Sequence, residues 1–189
     1  MTVRPITVIG HPALDRRAKQ VKEVTEEIRT LVADMFETNT AAHGAGLAAN
    51  QVGSKWNIFV LDCADGTGKH VKAAVINPRI EVGPVQPVHE EDDLEGCLSV
   101  PGEAFPTPRA TWARVTGTDL DGEEIVVEAE GGTLARCLQH EYDHLQGRLY
   151  LSRLGTEHRV MAQGAVRDRR WAQRGIKSWD PTATRAEVV

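Results

Sequence analysis

His140-Glu141-Tyr142-Asp143-His144 places two imidazoles four positions apart, with a carboxylate next to the first. On a helix, residues four apart lie about 40° apart in projection and about one turn apart in rise, so both rings can face one ion. Glu141 sits beside that face, close enough to act on a water held by the metal without being a ligand itself. The alternative is a polar helix face that happens to spell the motif. Leu134, Leu138 and Leu145 argue against it, because they give the same helix a separate apolar stripe to bury.

A catalytic site of this kind needs a third protein ligand and an open position for water. Cys137 is the nearest thiol in sequence. It is seven residues from His144, about 10 Å of helical rise, which is too far for its short side chain to share an ion with both histidines. It is expected to line the site as a small apolar residue. Cys63 ends an apolar strand and is expected in the core. Cys97, in Glu95-Gly96-Cys97-Leu98-Ser99, is either the third ligand or a buried structural cysteine; spacing leaves both open.

Three segments in order carry a family resemblance: Gly44-Ala45-Gly46-Leu47-Ala48-Ala49-Asn50-Gln51, Glu95-Gly96-Cys97-Leu98-Ser99, and Gln139-His140-Glu141-Tyr142-Asp143-His144. Together they are similar to the three signature motifs of peptide deformylases. The resemblance covers about residues 3–165, including Gly10-His11-Pro12 and Asn77-Pro78. It implies removal of the formyl group from the N-terminal formyl-methionine of nascent chains, with release of formate. Cys97, His140 and His144 would be metal ligands and Glu141 the general acid/base. The Gln51 side-chain amide and the Leu98 backbone N–H would stabilise the oxyanion. Gly44, Ala45, Gly46, Glu95 and Gly96 would contact substrate. The methionine side chain needs an apolar pocket, for which Ala45, Leu98, Leu134, Cys137, Leu138 and the aliphatic part of Arg136 are the candidates. One divalent ion per chain is implied, Fe²⁺ in the cell, with Zn²⁺, Ni²⁺ or Co²⁺ able to occupy purified protein. Donor chemistry alone favours zinc. The chain departs from the family pattern at Ala45, where many relatives carry Ile or Val, and at Ala104, where some carry a substrate-facing Arg. A pairing of Glu95 with Arg109 is expected to steady the Cys97 loop.

Two rivals stand beside this assignment. A zinc endopeptidase would need a ligand downstream of the helix, where His158 is the candidate. A metal-stabilised binding module would need four protein ligands and no Glu141.

The elements that must position these residues follow from pattern. Thr25–Thr40 carries Ile28, Leu31, Val32, Met35 and Phe36 at helical spacing, with acids in the first turn. The segment from Ala41 to Gly53 fits neither regular helix nor strand, and its glycines permit close backbone approach. Short β-branched runs predict strands over Trp56–Leu61, Val71–Ile76, Thr111–Thr118 and Glu123–Glu128, the last two joined at Asp121-Gly122. Residues 83–108 are expected to be mostly loop. Thr133 is the expected N-cap of the motif helix and Gly147 its stop. Strands followed by one helix imply an α+β fold. With the resemblance, that becomes antiparallel sheets packed around a central helix carrying the H-E-x-x-H motif, plus a C-terminal helix.

A length of 189 residues suits a single domain, expected over residues 1–177, with a disordered tail from Ser178 to Val189. The content of 41% hydrophobic and 26% charged residues is that of a globular protein, and no apolar run could span a bilayer. Early charges at the N-terminus argue against a secretory signal, so a cytoplasmic protein without membrane contact, monomeric or weakly dimeric, is expected. Three cysteines make a poor disulfide framework. The net charge of −5 is unevenly spread. Residues 148–177 hold eight basic and two acidic side chains, whereas residues 1–147 carry −10. The basic segment is either a solvated helix face or a contact for ribosomal RNA near the tunnel exit. Trp171 and Trp179 are expected to pack there.

Overall fold

The structure is a computed structural model and describes residues 2–169, 171 and 177–183. The chain runs β1 (Ile6–Thr7), α1 (Glu26–Ala41), β2 (Gly46–Ala48), β3 (Ile58–Ala64), β4 (His70–Val82), β5 (Leu94–Cys97), β6 (Val100–Pro106), β7 (Trp112–Thr118), β8 (Glu124–Glu130), α2 (Gly132–Leu145), α3 (Thr156–Arg169) and β9 (Ser178–Trp179), with short 3₁₀ turns at Ala49–Val52 and Tyr150–Arg153. Five strands form one antiparallel sheet in the order β2-β3-β4-β7-β8, and β5-β6 and β1-β9 form separate two-stranded sheets. The fold is α+β, as expected.

Strand β3 explains how the sheet sorts its helices. Ile58 and Val60 face the cluster that holds Ile28, Leu31, Val32 and Met35 of α1. Phe59, Leu61 and Cys63 face the cluster that holds Leu134, Leu138 and Leu145 of α2. Alternation with period two on a strand covered on both sides produces this near-continuous apolar run. Helix α2 packs on all five strands of the large sheet, so the residues on its remaining face are positioned by a rigid support.

Several boundaries differ from the sequence expectation. The stretch from Ala41 to Gly53 contains β2, which pairs with β3, and a 3₁₀ turn. Gly46 and Ala48 are short enough to lie against the α2 helix, and cross-strand pairing decides their conformation. The acidic, Pro-rich stretch read as loop contains the β5-β6 hairpin; burial of Cys97, Val100 and Phe105 holds it in place despite its composition. Helix α2 begins at Gly132 with Gly131 as N-cap and no side-chain cap, so Thr133 does not cap it. Gly147 does end the helix, at φ +72°, with the backbone of Asp15 and Arg16 too close to admit a Cβ.

The basic segment forms the 3₁₀ turn and α3, while Arg170 and residues 172–176 lie outside the described residues. Trp171 is buried beside Tyr150, Leu154 and Ala162. The tail expected to be disordered is ordered at its start: Ser178 and Trp179 pair with Thr7 and Ile6. Backbone pairing and the packing of the Trp179 ring fix this part, and residues 184–189 lie outside the described set. Among the described residues no helix is long and apolar enough to cross a membrane. All three cysteines are free.

Candidate metal centre

His140, Glu141 and His144 occupy the last two turns of α2, all buried. The β5-β6 hairpin brings Cys97 onto them. One donor atom from each of Cys97, His140 and His144 lies within 4.8 Å of the others. The His144 Nε2 is 3.2 Å from both the Cys97 Sγ and the His140 Nε2. The alternative left open by spacing is thereby decided in favour of a shared site. A thiol and two imidazole nitrogens converging at this distance are the donor set of a four-coordinate metal with one open position. His158, the third ligand an endopeptidase would need, instead faces Glu90 at 3.2 Å and is absent from the cluster.

The side chains around the donors orient them. Glu95 Oε1 lies 2.7 Å from His140 Nδ1, leaving Nε2 to face the cluster. Arg109 clamps the same carboxylate, with Nε and Nη2 at 3.0 and 2.6 Å, and its Nη1 reaches Asp143 at 2.5 Å. Arg153 donates to both oxygens of Asp143, sharing Oδ2 with Arg109. The expected Glu95–Arg109 pair is therefore present, as part of a buried chain that ties β5 to α2. Gln139 bonds the backbone N–H and C=O of Ala110, and Asn50 donates to the His144 carbonyl. Asp143, Gln139, Asn50 and Arg153 were missed as site supports. A polar type at a buried helix position was the available signal for the first two.

The two imidazoles of the cluster are pushed in opposite directions. Burial alone would lower His140, but Cys97 and Glu95 override it and raise its pKa well above the ordinary value. Burial and the neighbouring His140 push His144 well below. Burial alone would raise Glu95, but hydrogen bonds from Arg109 and His140 outweigh it and hold that carboxyl far below the usual range. Glu141 is pushed up to about 7, chiefly by burial, with opposing pulls from His140 and Glu95. Its Oε2 and the His144 Nδ1 are buried without a hydrogen-bond partner among the described residues. An unpaired carboxylate oxygen beside the donor set is placed to exchange a proton with something bound there.

The cluster opens to a cleft of about 1040 Å³. Its walls include Gly44, Ala45, Gly46, Gln51, Glu95, Gly96, Leu98, Ala104, Arg136 and Cys137, so most of the expected substrate residues meet there. Leu134 and Leu138 do not line it. They belong to the apolar stripe of α2 and are buried against the sheet. Arg136 contributes a fixed guanidinium, bonded to Asp93, Glu95 and Thr107. A Cβ on Gly46 would lie 2.6 Å from the Cys137 Sγ and 3.0 Å from Glu141. Glycine is required there by close approach.

The sequence profile of the family described as Polypeptide deformylase matches residues 3–160. The chain belongs to that family. It is 44% identical over 184 residues to "Peptide deformylase 2" of Corynebacterium efficiens, covering 96% of this chain and 94% of the relative. It is 46% identical over 191 residues to a peptide deformylase of Mycobacterium marinum, covering 96% and 95%. Among solved structures, peptide deformylase from Ehrlichia chaffeensis in complex with actinonin aligns at a TM-score of 0.78 with 36% identity, over 92% of this chain and 99% of that one. A peptide deformylase from Legionella pneumophila aligns at 0.76 with 35% identity over the same shares. This deformylase is thus a metal-dependent hydrolase acting on formylated nascent peptides, and the endopeptidase alternative is not favoured.

Proposed function

We propose that formyl-methionine deformylation in this chain is carried out at the Cys97–His140–His144 cluster with Glu141 as the proton carrier. The convergence of those three donors beside an unpaired, buried Glu141 oxygen is the observation that supports it. A divalent ion held by Cys97, His140 and His144 would polarise the formyl carbonyl and bring the pKa of water into the neutral range. Glu141 Oε2 takes a proton from the attacking water and returns it to the departing amine, a task suited to a group titrating near neutrality.

Gln51 and Leu98 act on the oxygen that gains charge. The Gln51 Oε1 accepts from Ala48 N–H at 2.9 Å, which turns Nε2 into the site. That Nε2 donates to Ser99 Oγ at 3.2 Å and makes only a 3.8 Å contact with Cys97 Sγ. Its second hydrogen can move from the sulfur to an oxyanion at little cost. The Leu98 N–H is the second donor. Gly44–Gly46 and Glu95–Gly96 hold the peptide backbone, with Cys137 and the aliphatic part of Arg136 against the methionine side chain.

Fe²⁺ is the ion we assign in the cell, on family resemblance. We take the motif helix as the centre of one domain reaching from the N-terminus to at least Trp179, because β9 closes on β1. The protein works in the cytoplasm as a monomer or weak dimer. Basic α3, with Arg159, Arg167 and Arg169, is assigned a contact with ribosomal RNA. Pelleting with ribosomes, comparing the full-length protein with a full-length variant carrying Arg159→Glu and Arg167→Glu, tests that contact; equal, salt-insensitive binding would remove it. For the reaction itself, anaerobically purified protein should release formate from formyl-Met-Ala-Ser and leave casein intact. Casein cleavage without formate release would overturn the assignment.

A further inference from the structure

Trp179 lies outside residues 3–160, and none of the roles above uses it. Its indole Nε1–H donates to the Leu98 carbonyl at 2.8 Å, and its ring forms part of the cleft wall. The amide of that same peptide unit, the Ser99 N–H, donates to the Cys97 Sγ at 3.4 Å. The Leu98–Ser99 peptide is therefore held at both ends, by an indole at its oxygen and by the thiol sulfur at its nitrogen. The next carbonyl, that of Ser99, accepts from Ile9 N–H at 2.9 Å. Trp179 itself is fixed by the pairing of β9 with β1 and by the neighbouring bond from Val8 N–H to the Lys177 carbonyl at 3.0 Å.

We propose that Trp179 is a positioning residue for the reaction, setting the Leu98–Ser99 peptide so that its N–H hydrogen-bonds the Cys97 sulfur. This rests on the assignment of Cys97 as a metal ligand. A donor at a peptide oxygen polarises the unit and strengthens what its N–H donates. An N–H donated to a ligating thiolate withdraws electron density from the sulfur and makes the ion it binds more electrophilic. The same contact fixes the turn that carries Leu98 along the cleft wall. One residue at the C-terminal end of the fold thereby reaches the reacting centre through a single peptide.

Trp179→Phe keeps a ring for packing and removes the N–H. In protein loaded with Co²⁺, the thiolate-to-metal charge-transfer band should move to lower energy, because the sulfur loses part of its hydrogen bonding. In the same variant kcat should fall roughly 3–10-fold, the effect of one hydrogen bond, with KM within about two-fold. A packing role alone would not move the band. An unmoved band, or an unchanged kcat, would overturn the proposal. If W179F is poorly folded, W179H restores a ring N–H: return of the band toward its wild-type position supports the proposal, and a band displaced equally in both variants overturns it. Wild-type protein with no thiolate band at all would instead remove Cys97 as a ligand, and with it the reading on which this inference rests.

Discussion

Glu95 Oε1 lies 2.7 Å from His140 Nδ1 while Arg109 grips the same carboxylate from behind. One buried carboxylate thus links an imidazole of the metal cluster to a guanidinium that also binds Asp143 on α2. The β5-β6 hairpin and the motif helix are locked in register by that link, and the position of Cys97 relative to the two histidines follows from it.

Arg109→Ala leaves Glu95 and Asp143 buried with one partner fewer. Removing one member of a buried ion pair costs about 3–5 kcal/mol, and loosening the group that orients a ligating histidine costs roughly 10–100-fold in metal affinity. Urea unfolding and metal titration should show both losses together. Unchanged stability and metal affinity would mean the chain of charges does not position the site.

The same carboxylate predicts a pH dependence of stability. Its folded pKa is held well below the ordinary 4.5, so its contribution is fully present above that value and is lost as pH falls toward the folded pKa. In metal-free protein the unfolding free energy should decline below about pH 4.5, with a slope of up to about 1.4 kcal/mol per pH unit from this one group. Glu95→Gln should be less stable at neutrality but show a shallower acid slope. Parallel slopes for the two proteins would contradict the assignment.

Gly46→Ala places a methyl against Cys137 and Glu141. Overpacking of this kind costs about 1–3 kcal/mol, and here the displaced atoms include those of Glu141, the proposed proton carrier. The expected result is a protein that keeps its metal and loses most of its turnover. Full activity with wild-type stability would show that the cleft wall yields more easily than its geometry implies.

If Gln51 is the oxyanion donor proposed above, Gln51→Ala should lower kcat by about 10²–10³ with little change in KM. A fall confined to KM would place Gln51 in ground-state binding instead.

The helix part of the cluster was legible because its spacing states a geometry. His140 and His144 share a helix face whatever the rest of the chain does, and helix rise excludes Cys137 as their partner. Cys97 needed a tertiary contact: only the β5-β6 hairpin, hidden in an acidic, Pro-rich stretch, brings it within reach of α2. The α1 helix and most strands of the large sheet could be read from periodicity, since each buries one face or both. Leu134 and Leu138 were placed at the cleft although their own helical period puts them with Leu145 in the core. Trp179 was not legible as a site residue, because its role depends on β9 returning to β1 across nearly the full length of the chain.

The assignment of Glu141 as proton carrier beside the Cys97–His140–His144 cluster is tested most directly by Glu141→Ala, measured for metal content and for formate release from formyl-Met-Ala-Ser on the same sample. The variant should retain one ion per chain and lose turnover by at least about 10²-fold. Near-native formate release from a metal-loaded Glu141→Ala protein would contradict it.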